Sequence, residues 1–160
     1  MRIGQGFDVH PFETGRPLIL GGVTIDHTAG LAGHSDGDAL AHAIIDALLG
    51  AAGLGDIGAH FPSSDPTLKG ADSLDLLRQV SQKLQAAGFA IVNLDATIVA
   101  QGPRMAPHVP EMRARLARAL GLEPGQVSVK ATTTDGLGAI GRAEGIAAMA
   151  VALIEEAVSG

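Results

Sequence analysis

The opening ten residues, Met1-Arg-Ile-Gly-Gln-Gly-Phe-Asp-Val-His10, alternate with a period of two, and this constrains the chain more than any other stretch. Ile3, Phe7 and Val9 share one parity; Arg2, Asp8 and His10 share the other. That is the pattern of a half-buried strand, in which side chains at i and i+2 leave the same face ~6.5–7 Å apart. Asp8 and His10 therefore project together, a carboxylate oxygen beside an imidazole nitrogen. Two such donors can share a divalent ion when a third ligand arrives from elsewhere. His42, about thirty residues on, is the candidate third ligand.

Period two returns over residues 89–100, where Val92, Leu94, Ala96, Ile98 and Ala100 alternate with Asn93, Asp95 and Thr97, and again over 127–134. Leu18 to Leu20 and Val23 to Ile25, around Gly21-Gly22, read as a small hairpin. The segments 11–16 and 26–34 read as loops. Helical spacing predicts a helix over 37–52, with Leu40, Ala41, Ile44, Ile45 and Leu48 on one face. A second spans 72–87, with Leu74, Leu77, Val80 and Leu84 opposite Arg78, Gln82 and Gln85, and Gly88 ends it. A third lies near 107–120, opened by two prolines and closed by Gly121. Residues 145–154 fit either a buried helix or a strand covered on both faces, which periodicity does not separate. The succession describes an α+β fold, a mixed or antiparallel sheet with helices packed on one face. The sheet's other face needs a cover, and a partner subunit is the simplest one.

Composition narrows the chemistry. At 160 residues the chain is long enough for a core and reads as a single domain, 1–160. A formal charge of −6 leaves no basic face for nucleic acid. Four Phe with neither Trp nor Tyr leave no platform for stacking bases. There is no cysteine, so a metal must be held by His, Asp and Glu. The longest uncharged apolar run, 145–154, is half of the ~20 residues a membrane span needs. The N-terminus starts directly into a strand rather than a signal peptide, which puts the expected location in the cytoplasm.

The candidate site residues cluster around the first helix. Ser35-Asp36-Gly37-Asp38 is a helix start, with Ser35 or Asp36 as cap and Asp38 completing a Ser-x-x-Asp box. Asp38, His42 and Asp46 form one polar stripe on an otherwise apolar helix, facing either water or a site. If it is a site, His42 meets the ion through Nε2 and Asp46, one turn on, backs it. His34-Ser35 lies just before the helix N-terminus, where backbone N–H groups favour an anion. The long segment 53–70, with Asp56-Ile57-Gly58 and Phe61-Pro62-Ser63-Ser64-Asp65, is of a length that is functional or disordered in compact domains. Its hydroxyls and Asp65 suit a polyol, and it could close as a lid; His60 within it has no assigned role. Thr132-Thr133-Thr134-Asp135 places hydroxyls and a carboxylate at a strand end, suited to phosphate and a hard cation. The loop Ala100-Gln101-Gly102-Pro103-Arg104-Met105-Ala106 offers backbone donors and acceptors beside a positive charge, suited to a nucleobase and its phosphates. Neither a Ser-His-Asp triad nor a P-loop is present. The inventory favours a metal acting on phosphates.

Several of these segments, in order and with matching spacing, resemble the 2-C-methyl-D-erythritol 2,4-cyclodiphosphate synthase family of the non-mevalonate isoprenoid pathway. They are Gly-x-Gly-Phe7-Asp8-Val9-His10, His34-Ser35-Asp36-Gly37-Asp38, Gly55-Asp56-Ile57-Gly58, Gly70-Ala71-Asp72-Ser73, Val129-Lys130-Ala131-Thr132-Thr133-Thr134 and Gly141-Arg142-x-Glu144-Gly145. The resemblance implies a homotrimer whose sheets face a central axis, which makes 145–154 a strand, with active sites between subunits. Asp8, His10 and His42 would hold zinc, and Asp135 a magnesium or manganese ion on the substrate diphosphate. His34, Ser35, Asp56, Ile57, Gly58 and Phe61 to Asp65 would line the methylerythritol phosphate pocket, and Asp8, Val9 and His10 would also touch the substrate. Residues 100–106 with Ala131 to Thr133, from the adjacent subunit, would hold the cytidine diphosphate, Thr134 and Asp135 would also touch the substrate, and Arg142 would point inward. His34 and Thr133 would stabilise the transition state. Asp135 stands where relatives usually carry Glu, one methylene longer, and Ala139-Ile140 stands where an aromatic is frequent. The implied reaction is ring closure of 4-diphosphocytidyl-2-C-methyl-D-erythritol 2-phosphate with release of CMP. Its rivals are a metal-dependent phosphohydrolase and a non-catalytic trimeric binder of nucleotides or isoprenoid phosphates.

Overall fold

A computed structural model of the chain describes residues 1–157. Its main sheet has the order β4-β1-β7-β5-β6, built from β1 (Arg2–Thr14), β4 (Ala29–Leu31), β5 (Phe89–Val99), β6 (Val127–Thr132) and β7 (Gly145–Glu156). Only β5 and β6 run parallel; the other neighbours are antiparallel, so the sheet is mixed as expected. Strands β2 (Leu18–Leu20) and β3 (Val23–Ile25) form the separate small hairpin that Gly21-Gly22 predicts. The long helices are α1 (Ala39–Ala52), α3 (Ser73–Ala86) and α4 (Val109–Leu120), with a single turn α2 (Ile57–His60) between α1 and α3 and another, α5 (Gly138–Gly141), between β6 and β7.

Two loop expectations give way to pairing. Strand β1 continues past Pro11 to Thr14, because β4, from within the expected 26–34 loop, hydrogen-bonds to its end with Phe12 opposite Leu31. Nothing local marks Ala29–Leu31 as a strand; its partner makes it one. The ambiguous 145–154 stretch is strand β7, lying between β1 and β5 in the sheet. Its even positions, Ile146, Ala148, Ala150, Ala152 and Ile154, face the helices and are buried.

Helix α1 lies across β1 and β7, and its apolar face, Leu40, Ile44, Ile45 and Leu48, fills one continuous core with Leu77, Leu84, Leu94, Ile98 and Ile154. The even positions of β1 face that helix, and at Gly4 and Gly6 there is no room for a side chain. A Cβ at Gly4 would sit 2.0 Å from the carbonyl oxygen of Ala47. These glycines let the helix rest on the strand backbone. The apolar parity of β1 is left uncovered instead: Ile3 is 72%, Phe7 53% and Val9 50% exposed, beside Met149 and Val151 of β7. This is the open sheet face for which the sequence predicts a cover. Among the described residues, no helix is long and apolar enough to cross a membrane.

Candidate functional site

The close seating of α1 on β1 brings His42 over the next even positions of the strand, Asp8 and His10. The polar stripe of α1 faces inward: Asp38 is fully buried and His42 is 8% exposed. Asp38, rather than Ser35 or Asp36, caps the helix. Its Oδ1 accepts from Ala41 N at 3.0 Å and from Gly21 N at 2.9 Å, and its Oδ2 accepts from Gly22 N at 2.8 Å. One carboxylate thus ties the helix start to the β2–β3 turn, a long-range role that the local Ser-x-x-Asp reading does not contain. Arg16 holds the preceding loop by donating to the carbonyls of Gly33 and Ser35.

Asp8 Oδ2 lies 2.7 Å from His10 Nε2 and 3.1 Å from His42 Nδ1, and the two nitrogens are 3.3 Å apart. A tetrahedral ion with bonds of ~2.0–2.1 Å has ligand–ligand edges of about 3.3 Å, so these donors fit a divalent cation with a position left open. They are the one such cluster of His and carboxylate groups among the described residues. Burial alone would raise the Asp8 carboxyl. Hydrogen bonds and charge from His10 and His42 outweigh it and hold Asp8 well below the usual carboxylate range. The Asp8 hydrogen bond in turn raises His10 above its ordinary value, against burial.

Two expectations about His42 are corrected. The nitrogen facing Asp8 and His10 is Nδ1, not Nε2. Nε2 is turned back toward Ser73 Oγ at 2.9 Å and Ser35 Oγ at 3.1 Å. Asp46 does not back His42 through a hydrogen bond; its Oδ1 accepts from Ile57 N at 2.7 Å. It therefore anchors α2, and burial raises its carboxyl while that bond opposes the rise.

Beside the cluster lies a cavity of about 280 Å³. Asp8, His10, His34, Ser35, His42, Ile57, Gly58, Phe61 and Ser63 line it, together with Leu68 and Leu76. The two leucines were not among the expected site residues, since an apolar wall and a core position have the same sequence signature. The segment behind the cavity is held by specific bonds rather than left as structureless loop. Asp56 Oδ1 caps α2 at Ala59 N, and His60, expected to have no role, donates from Nε2 to the Leu54 carbonyl at 2.8 Å. The Asp65 carboxylate accepts from the backbone and hydroxyl of Thr67, which hold it below the usual carboxylate range. Its carbonyl accepts from His34 Nε2 at 2.9 Å. Asp65 so placed shapes the pocket wall and does not line it.

The second group of expected residues forms a separate cavity of about 300 Å³, lined by Ala100, Gln101, Pro103, Arg104, Met105, Ala106, Ala131, Thr132 and Thr133. Gln101 Oε1 accepts from Gly136 N at 3.2 Å and joins the 100–106 loop to the turn after β6. In that turn Thr133 Oγ1 accepts from Asp135 N at 3.1 Å and donates to Asp135 Oδ1 at 3.3 Å. Thr134 Oγ1 donates to the Leu137 carbonyl. The two cavities share no lining residue. Val9 and Arg142 line neither: Val9 points to the open sheet face, and Arg142 pairs with Glu144 at 2.8 Å.

A family model described as the YgbB family matches residues 1–155. The chain is 60% identical over 157 residues to the 2-C-methyl-D-erythritol 2,4-cyclodiphosphate synthase of Syntrophomonas wolfei subsp. wolfei, spanning 98% of this chain and 100% of that one. It is 59% identical over 160 residues to the protein of the same name from Moorella thermoacetica, spanning 100% and 98%. Among solved structures, the bifunctional IspDF of Campylobacter jejuni superposes with a TM-score of 0.94 at 46% identity; the match covers 97% of this chain and 42% of that one. Plasmodium falciparum IspF in its CDP complex superposes with a TM-score of 0.85 at 33% identity, covering 98% and 96%.

Proposed function

The chain belongs to the YgbB family, and on that premise we propose for it the reaction its relatives are named for. It cyclises 4-diphosphocytidyl-2-C-methyl-D-erythritol 2-phosphate to 2-C-methyl-D-erythritol 2,4-cyclodiphosphate and releases CMP. A 2-phosphate oxygen forms a new bond to the β-phosphorus, and the bond from that phosphorus to the CMP oxygen breaks. The nucleophile is already anionic near neutral pH, so the chain need not supply a general base. Zinc at Asp8, His10 and His42, with magnesium or manganese near Asp135, would supply positive charge to polarise the attacked phosphorus and neutralise the leaving oxygens.

The chain's own groups do the holding. Asp8 is kept anionic beside two imidazoles and is ready to ligate. His34, tethered to the Asp65 carbonyl, and Thr133, just past the end of β6, are assigned to the reacting phosphates, where they stabilise the transition state. The cavity between β1, α1 and α2 takes the methylerythritol phosphate, and the loop with Arg104 takes the cytidine diphosphate. Binding both ends of one folded substrate supplies the orientation term, which reaches ~7–11 kcal/mol in well-aligned intramolecular reactions.

The two cavities lie apart on one chain, and Ile3, Phe7, Val9, Met149 and Val151 leave one sheet face apolar and open. Both features support a homotrimer with each site completed by the adjacent copy. The cytoplasmic location expected from the sequence belongs to this same proposal.

The observation that carries the reading is the convergence of Asp8, His10 and His42 within a chain about 60% identical over its whole length to named synthases. Incubation with the diphosphocytidyl substrate and Mg²⁺, followed by phosphorus NMR, tests it. A cyclic diphosphate with equimolar CMP is expected. A linear product would mean hydrolysis, and cytidine nucleotide binding without turnover would mean a binding protein.

A further inference from the structure

We propose that Arg16 is a positioning residue for the reaction, a guanidinium clamp that fixes the main chain on both sides of His34. Arg16 Nη1 donates to the Gly33 carbonyl at 2.8 Å, and Nη2 donates to the Ser35 carbonyl at 2.7 Å. One planar fork thus takes the two acceptors that flank a single residue, and charge-assisted bonds of this kind are roughly twice as strong as neutral ones. Glu13 Oε2 stands farther off, at 3.5 Å, so the main chain rather than a carboxylate orients the guanidinium. The inference rests on the reading that His34 and Ser35 face the substrate phosphates.

The fold carries Arg16 to that place. The chain leaves β1 through Gly15, whose φ of 85° suits a residue without a side chain. Strand β4 then passes directly against the next two residues: a Cβ at Gly30 would lie 2.1 Å from the Pro17 carbonyl oxygen and 2.6 Å from that of Arg16. A short way past Gly30 the chain reaches Gly33 and meets the guanidinium. The residues leading into α3 hold His34 as well: Gly70 N donates to its carbonyl at 2.8 Å, and Asp36 N donates to the Ala71 carbonyl at 3.0 Å. The His34 ring is tied at Nε2 to the Asp65 carbonyl at 2.9 Å. Those bonds hold His34 itself, and Arg16 holds the residue on either side of it. Ser35, the second of these, lines the cavity with His34. A group that acts on a transition state needs its mount fixed in this way, because its geometry must hold to a fraction of an ångström.

Arg16→Ala tests this beside Arg113→Ala. Arg113 also forks onto two main-chain carbonyls, Val127 at 2.7 Å and Pro124 at 3.0 Å, and lines neither cavity. Arg16→Ala is expected to lower kcat by ~10-fold or more, since a misplacement of ~1 Å can cost ~100-fold. Zinc content and cytidine diphosphate affinity are expected to stay at the wild-type level, because Arg16 belongs to neither the ligand cluster nor the second cavity. Arg113→Ala is expected to lose stability in urea and keep kcat. Arg16→Lys keeps the charge without the fork, and its kcat is expected to fall between those of Arg16→Ala and the wild type. A folded Arg16→Ala or Arg16→Lys protein with wild-type kcat overturns the proposal, as does a kcat loss matched by an equal loss of cytidine diphosphate affinity. If Arg16→Ala does not fold, Arg16→Lys decides alone. Hydrogen exchange separates the clamp from the reaction it serves. The amides of Ala32 and Asp36, bonded to the Pro11 and Ala71 carbonyls, are expected to exchange faster in Arg16→Ala than in the wild type. Unchanged exchange overturns the clamp whatever the turnover. Faster exchange, with no cyclic product from the wild type, overturns the reaction reading and leaves the clamp standing.

Discussion

A methyl group added at Gly6 would lie 1.9 Å from the carbonyl oxygen of Ala43. Strand and helix therefore touch backbone to backbone at the residue after His42 and two residues before Asp8. Gly6→Ala should force α1 away from β1, costing about 1–3 kcal/mol in denaturant unfolding. Because His42 rides on that helix, the variant should also lose zinc affinity. Stability and affinity both at the wild-type level would show that the contact does not set the site.

His42→Ala removes one of three donors from a cluster with no substitute among the described residues. Elemental analysis of purified protein should find zinc lost, and CMP release should cease. Retained zinc would remove His42 from the ligand set.

Asp46→Ala leaves the Ile57 N–H without its acceptor at the wall of the cavity. Substrate KM should rise by about tenfold, the equivalent of ~1.4 kcal/mol, with zinc content unchanged. Asp46→Asn keeps an acceptor oxygen and should recover most of the loss. Equal effects from both variants would argue that the charge matters instead of the bond.

Burial pushes the Asp38 carboxyl up to about 6, with the Asp36 charge adding to it and the N–H groups of Ala41, Gly21 and Gly22 opposing. A raised carboxyl is protonated more readily folded than unfolded, where its value is ~3.9. Stability from this group is thus fully present at low pH and declines as pH rises from about 4 to about 6, by roughly 3 kcal/mol in all. Asp38→Asn cannot titrate. Its deficit in urea unfolding relative to wild type should be larger at about pH 4 than at about pH 7. A constant deficit would place the Asp38 carboxyl at its ordinary value.

Thr133→Val should leave substrate binding intact and lower turnover, since its hydroxyl lines the second cavity. If the proposed site is shared between copies, co-refolding it with His42→Ala should restore part of the activity, because each chain supplies what the other lacks. No restoration would confine the site to one chain.

The three expected metal ligands were legible because strand alternation places Asp8 beside His10 and helical spacing isolates His42 on an apolar helix. The long amphipathic helices α3 and α4, and strands β5 and β6, were legible for the same reason. Strand β4, the continuation of β1 past Pro11, and Ser73 were not. The sequence around Ala29 to Leu31 carries no period, and Ser73 looks like an ordinary residue in a helix's first turn. Each acquires its role from a distant partner, β4 and the end of β1 from one another and Ser73 from His42 and Asp36, with no local pattern to mark it. His60 and Asp65 were visible as loop residues, but their work is to bond backbone carbonyl and turn, which composition does not announce.

By itself the sequence determined which side chains share a face, because the periods of strand and helix are properties of a few consecutive residues. It also determined that any metal would be held by nitrogen and oxygen, since the chain has no thiol. Tertiary structure alone decided how near those faces come and which imidazole nitrogen of His42 looks toward Asp8. Those are distances of a few ångströms between segments far apart in the chain. They follow from the absence of side chains at Gly4 and Gly6, the cap at Asp38 and the seating of α3 against the loop before α1.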